Sequence, residues 1–206
     1  MRSSAASDVY KRQAGRIEVK MNIKQSICRF IYYKVLRWKS EVTVPDFDKY
    51  IICAAPHTSN WDLLIGKLFI NAIGRESGFL MKKEWFFFPI GYLFRWMGGI
   101  PVERNKRTSM VDSMVQKIKR MEKFHVAITP EGTRSPNPNW KKGFYYMALG
   151  AGIPIVLIGI DYEKKCISAS KYMIPTGDIE KDMSEIKLYF KHFRGKHPEK
   201  FDIGEI

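Results

Sequence analysis

A chain of 206 residues is long enough for one domain with a substantial core and too short for two full ones. Its formal net charge of +14, with a pI near 9.7, points to an anionic partner: a membrane surface, nucleic acid or phosphorylated small molecules. Cys28, Cys53 and Cys166 are odd in number and far apart, which argues against a disulfide framework and for reduced thiols in a cytosolic protein. No apolar run is long enough to span a bilayer.

Residues 1–20 carry no apolar periodicity and read as a non-native or disordered leader, with Met21 the more natural start. Five basic and two acidic side chains lie in this leader, so +11 of the charge belongs to residues 21–206. Residues 21–39 read as a basic amphipathic helix with Ile23, Ile27, Phe30, Ile31, Val35 and Trp38 on one stripe. Such a helix suits an interfacial membrane anchor, or it packs on the domain's own core. Residues 21–45 are thus read as surface helix and linker, and 46–206 as the main domain, with 42–48 a linker or short strand.

The run 50–55 is short and apolar and stops at Pro56, which predicts a buried strand. Trp61, Leu64, Ile65, Leu68 and Ala72 then recur at helical spacing and predict one buried helix face. A second strand is expected at 78–81. The aromatic stretch 85–97 lines an acyl-chain groove, rests at an interface or forms a short core helix. A helix is expected over 109–122, with Ser109 and Asp112 as its capping box. Strands are expected at 125–129 and 153–160, with a helix over 143–149 between them. The more polar tail suggests strands at 165–168 and 187–193, and shows no chemistry.

His57 falls in the turn between the first buried strand and its helix. An imidazole titrates near neutrality and suits a general base, and Asp62 is placed to fix its tautomer and stabilise the imidazolium. The competing reading makes Ser59 and Asp62 an ordinary capping box. Arg104, after two glycines, offers a fork of donors to a phosphate. Glu131, Gly132 and Arg134 follow a strand end, the usual ligand edge of an open α/β sheet: Glu131 is read as a hydroxyl binder and Arg134 as a phosphate clamp. His125 reads as a core residue. His192 and His197 lack metal-ligand neighbours, and no zinc or P-loop signature is present.

In this order, His57-x4-Asp62, Gly98-Gly99-Ile100-Pro101-Val102-Glu103-Arg104, Thr129-Pro130-Glu131-Gly132-Thr133-Arg134-Ser135 and Ala151-Gly152-Ile153-Pro154-Ile155-Val156 resemble the glycerolipid acyltransferase family that includes 1-acylglycerol-3-phosphate acyltransferases. The resemblance implies a single α/β domain, a mixed, mostly parallel sheet flanked by helices, preceded here by the amphipathic helix. It implies His57 as base, Asp62 as its orienting carboxylate, and Arg104, Glu131, Gly132 and Arg134 in the acceptor site. It further implies an acyl-CoA or acyl carrier protein donor, a lysophospholipid acceptor and no metal or other cofactor. The basic residues accompany no nucleic-acid recognition motif, so no nucleic acid partner is expected, and a basic amphipathic helix without a spanning run suggests a peripheral place on an anionic membrane at its cytoplasmic face. Pro56 and Thr129 depart from the family pattern, where asparagine and phenylalanine are common. The leading expectation is acylation of 1-acylglycerol-3-phosphate to phosphatidic acid. Another lysolipid acceptor such as a lyso-ornithine lipid, a thioesterase or lysolipase, and a non-catalytic surface binder are the alternatives.

Overall fold

The computed structural model describes residues 21–96, 98–102 and 107–205. The leader and Arg104 lie outside the described residues.

The chain folds around one seven-stranded sheet, in the order β1-β7-β6-β2-β5-β3-β4. The strands are β1 (Lys39–Val42), β2 (Lys49–Ala55), β3 (Gly78–Lys82), β4 (Gly99–Val102), β5 (Phe124–Ile128), β6 (Ile155–Asp161) and β7 (Cys166–Met173). Among the described residues only the β6–β7 pair is antiparallel. Strands β2, β5 and β6 are central, and β6 is buried along its whole length, as a near-continuous apolar run covered on both faces requires. Because these strands run the same way, the segments that leave them share one sheet edge, which positions the site.

The period-two alternation of β2 divides the core. Ile51, Cys53 and Ala55 point to one face, where α4 (Arg107–Arg120), α5 (Gly143–Ala151) and α6 (Ile179–Phe190) pack with Met114, Ile118, Phe144, Ala148, Ile186 and Phe190. Tyr50 and Ile52 point to the other, against Ile65 and Phe69 of α2 (Trp61–Ala72) and against Tyr32 and Trp38. The αL conformation of Gly152, at φ +67°, closes α5 and turns the chain into β6.

Four expectations need correction. The N-terminal stripe does not continue onto the core: α1 (Ile23–Arg29) runs into a π-helical turn over Phe30–Val35. Ile23 (81% exposed), Ile27, Phe30 and Val35 face outward, while the wider turn rotates the side chains that follow and Tyr32 and Trp38 are buried. The buried face of α2 is Asp62, Ile65, Phe69, Ile70 and Ala72, and Trp61 and Leu64 are exposed. Asp62 is drawn inward by hydrogen-bond donors, and the helical period carries its i+3 and i+7 neighbours with it. Helix α4 starts at Arg107, so Ser109 and Asp112 lie inside it rather than at its cap. The tail segment 187–193 is no strand: α6 covers it to Phe190, because Met183, Ile186 and Phe190 bury at helical spacing and Asp178 caps the start by accepting Lys181 N–H at 3.2 Å.

The aromatic stretch is short and broken in two. It forms a 3-10 turn at Lys83–Trp85 and α3 (Ile90–Trp96), with Trp85, Phe87, Phe88 and Tyr92 exposed. His125 behaves as expected of a structural residue, with Nε2 2.9 Å from the Phe47 carbonyl and its ring against Tyr50. Among the described residues no helix is long and apolar enough to cross a membrane.

Candidate functional site

Pro56 ends β2, and His57, Thr58 and Ser59 form the turn into α2. Asp62, in the first turn of that helix, folds its carboxylate back over the turn. Its Oδ2 accepts the backbone N–H groups of Thr58 and Ser59, each at 2.8 Å, and lies 3.2 Å from His57 Nδ1. Ser59 Oγ in turn accepts Trp61 N–H at 3.2 Å. The two readings of Asp62 are therefore both present: one carboxylate oxygen satisfies the helix start and faces the imidazole.

This contact sets the chemistry of the ring. An imidazole that donates Nδ1–H to a carboxylate carries its lone pair on Nε2, which becomes the base atom. The His57 side chain is 22% exposed and the Asp62 side chain 3%, so the imidazole reaches the surface while the carboxylate stays out of water. His57 opens onto a cavity of about 1640 Å³ whose walls include Leu63, Gly66, Phe79, Val115, Ala127 and Leu149. An apolar trough of this size has room for a long hydrocarbon chain beside the imidazole.

Glu131 follows β5 in a tight turn, with Gly132 N–H donated to the Thr129 carbonyl at 3.2 Å and Gly132 at φ +69°. That turn points Glu131 inward. It is 1% exposed, and its Oε1 accepts the backbone N–H of His57 at 2.6 Å. Its Oε2 is buried without a hydrogen-bond partner among the described residues. Burial pushes its carboxyl up to about 7, partly offset by the His57 N–H. Gly132 and Arg134 line the cavity with His57, and Arg134 Nη1 donates to Asn60 Oδ1.

The structure thus brings together His57, Asp62, Glu131, Gly132 and Arg134. Glu131 sits behind the His57 backbone and Arg134 on the open side. The tail, where no chemistry was expected, supplies two further contacts. Tyr162, one residue past β6, donates its hydroxyl to Asp62 Oδ1 at 2.7 Å. His197 donates its backbone N–H to Thr58 Oγ1 at 3.2 Å. Tyr162 was legible only through its place at the end of a buried strand on the same sheet edge as His57 and Glu131. No group of acidic, histidine or cysteine side chains fit to hold a metal occurs among the described residues.

Comparison with known proteins bears on the same segments. A family model described as Acyltransferase matches residues 34–161. The 1-acyl-sn-glycerol-3-phosphate acyltransferase of Escherichia coli is 25% identical over 126 residues, covering 58% of this chain and 50% of that protein. The Haemophilus influenzae protein of the same name is 27% identical over 133 residues, covering 60% and 54%. The chain spans about half the length of these curated relatives. The crystal structure of the 1-acyl-sn-glycerophosphate (LPA) acyltransferase PlsC from Thermotoga maritima shares the fold, with a TM-score of 0.56 at 19% identity over 90% of this chain and 85% of that one. The family match covers more than half of the chain and takes in β2, the His57 turn, the Glu131 turn and β6, so this chain belongs to the acyltransferase family.

Proposed function

We propose that the chain transfers a fatty acyl group from a thioester, acyl-CoA or acyl carrier protein, to the hydroxyl of a lysophospholipid. The preferred acceptor is 1-acylglycerol-3-phosphate, which gives phosphatidic acid. The observation that carries this reading is the His57 Nδ1–Asp62 pair, at 3.2 Å, opening onto the large apolar cavity. The names of the curated relatives support this choice of acceptor.

In the proposed reaction His57 Nε2 removes the proton of the acceptor hydroxyl as that oxygen attacks the thioester carbonyl. Collapse of the tetrahedral intermediate breaks the C–S bond, and the imidazolium returns the proton to the departing thiolate. Asp62 stabilises the imidazolium between these steps. Glu131 fixes the height of the His57 backbone, and Arg134, with Gly132 beside it, holds the acceptor phosphate so that the hydroxyl is delivered at an attacking angle. Arg104, outside the described residues, is proposed for the same phosphate.

The site is proposed to work at an anionic membrane surface on the cytoplasmic side. The outward-facing Ile23, Ile27 and Phe30 of residues 21–45, with Lys24 and Arg29 near them, support this, as do the exposed aromatic side chains around α3. Residues 46–206 are proposed as the acyltransferase domain proper. Its sheet also takes in β1, which pairs with β7.

The test is thiol release from a long-chain acyl-CoA with and without 1-acylglycerol-3-phosphate, for the wild type and His57→Ala. Release that needs both acceptor and His57, with a diacyl product by mass spectrometry, is the expected result. Acceptor-independent release would mean a thioesterase, and undiminished turnover by His57→Ala would remove the mechanism.

A further inference from the structure

The Asp62 carboxylate is held asymmetrically. Its Oδ2 takes the Thr58 and Ser59 N–H groups and faces His57, whereas Oδ1 is held by the Tyr162 hydroxyl at 2.7 Å. No other donor to Oδ1 occurs among the described residues. Tyr162 is itself fixed from three sides. Its backbone follows β6, its N–H is donated to the Arg194 carbonyl at 2.8 Å, and its ring stands edge-on to the buried Trp38 with centroids 5.0 Å apart. It lies one residue beyond the span matched by the family model.

We infer that Tyr162 is a positioning residue for the proton transfer: its hydroxyl locks the Asp62 carboxylate with Oδ2 toward His57 and draws negative charge onto Oδ1. This inference rests on the acyl-transfer reading above. A carboxylate on a helix has two ways to turn, and a donor on the far oxygen removes the rotation that would swing Oδ2 off the imidazole. The same bond moderates the pull on the imidazolium, so that the base can release its proton to the thiolate. Burial, and then the bond to Asp62, raise the phenol far above the ordinary tyrosine range, so it remains a donor throughout the working pH. The titratable groups that face the carboxylate are His57 on the preceding turn, Glu131 behind that turn, and Tyr162.

The test is Tyr162→Phe, which keeps the ring on Trp38 and removes the hydroxyl. The expected result is a kcat lowered about tenfold with both KM values within about twofold of wild type, since the lost bond is made to a charged group that binds neither substrate. The acid limb of kcat/KM should move to higher pH by about half a unit, because Oδ2 then carries more of the charge. Unchanged kcat and pH profile in Tyr162→Phe, with or without a lower Tm, would overturn the inference. NMR detection of the His57 Nδ1 proton needs no substrate: the signal should move or broaden in Tyr162→Phe, and an unmoved signal overturns the positioning role. A wild type without His57-dependent transfer would instead overturn the proposed reaction.

Discussion

Replacing Asp62 with asparagine separates the two duties of that side chain. The Thr58 and Ser59 N–H groups fix the orientation of the new amide, because an NH2 at the Oδ2 position would face two donors. The amide oxygen therefore takes that position, and the NH2 turns toward Tyr162, whose hydroxyl can rotate to accept. The helix start and the imidazole tautomer survive, and only the charge is lost. Attraction between unit charges at the observed 3.2 Å is about 5 kcal/mol at an effective dielectric of about 20. The 22% exposure of His57 lets water screen part of this, leaving about 3 kcal/mol, or about a hundredfold in rate. The assay is steady-state thiol release by Asp62→Asn with acyl-CoA and 1-acylglycerol-3-phosphate, paired with a melting curve. The expected result is a kcat down about a hundredfold, both KM values within about twofold and a Tm within a few degrees of wild type. A kcat within about threefold of wild type at unchanged Tm would mean that Asp62 does no more than cap α2, and the pair would lose its catalytic meaning.

Other outcomes rest on particular contacts. Glu131 is neutral more readily in the folded chain, at about 7, than in the unfolded one, so it favours folding fully below its unfolded value and loses that contribution as pH rises through 7. Glu131→Gln keeps an acceptor for His57 N–H, so its stability relative to wild type should increase between about pH 5 and about pH 8 in urea titrations; a difference independent of pH would refute the assignment. Gly66 lies in mid-helix on the cavity wall with nothing within 4 Å of where a Cβ would sit. Gly66→Ala should therefore raise stability by about 1 kcal/mol, and Gly66→Phe should shift acyl-CoA preference to shorter chains, read by competition between donors of different length. Ile27→Glu with Phe30→Glu should weaken sedimentation with phosphatidylglycerol vesicles about tenfold while leaving the Tm within a few degrees, since both side chains are exposed; unchanged sedimentation would remove α1 from the membrane contact.

What could be read from the chain was what is local. The run 50–55 gave away its strand because a short apolar segment ending at a proline has few other uses, and His57 and Asp62 lie five residues apart across one turn. The N-terminal stripe was legible only in part: Ile23, Ile27, Phe30 and Val35 share an outward face, but a π turn that nothing in Phe30–Val35 announces lies before Trp38, which is buried. The segment 187–193 looked like a strand because its aromatic residues suit sheets, yet Ile186 and Phe190 bury together only on a helix. Glu131 was expected on the acceptor, but its direction is set by the left-handed turn at Gly132 and by the His57 N–H, donated from 74 positions away. Tyr162 is 100 positions from Asp62, and only the sheet order, with β6 beside β2, brings them together.

That sheet order also explains how a short turn holds His57 in register. The His57 turn is gripped from below by Glu131 after β5, from the side by Tyr162 after β6, and through Thr58 by the backbone of His197. Two of these three lie outside the matched span of the family. A Cβ on Gly195 would come within 2.8 Å of Thr58 Oγ1, so the tail presses on the turn as closely as backbone can. The helix start contributes as well: its aligned backbone dipoles put the positive end of α2 beside the Asp62 carboxylate and help to hold it over the turn. Capping and the contact with His57 are therefore not competing explanations for Asp62. The backbone donors that make it a good cap are the ones that aim Oδ2 at His57, and a residue unable to cap α2 could not hold the imidazole either.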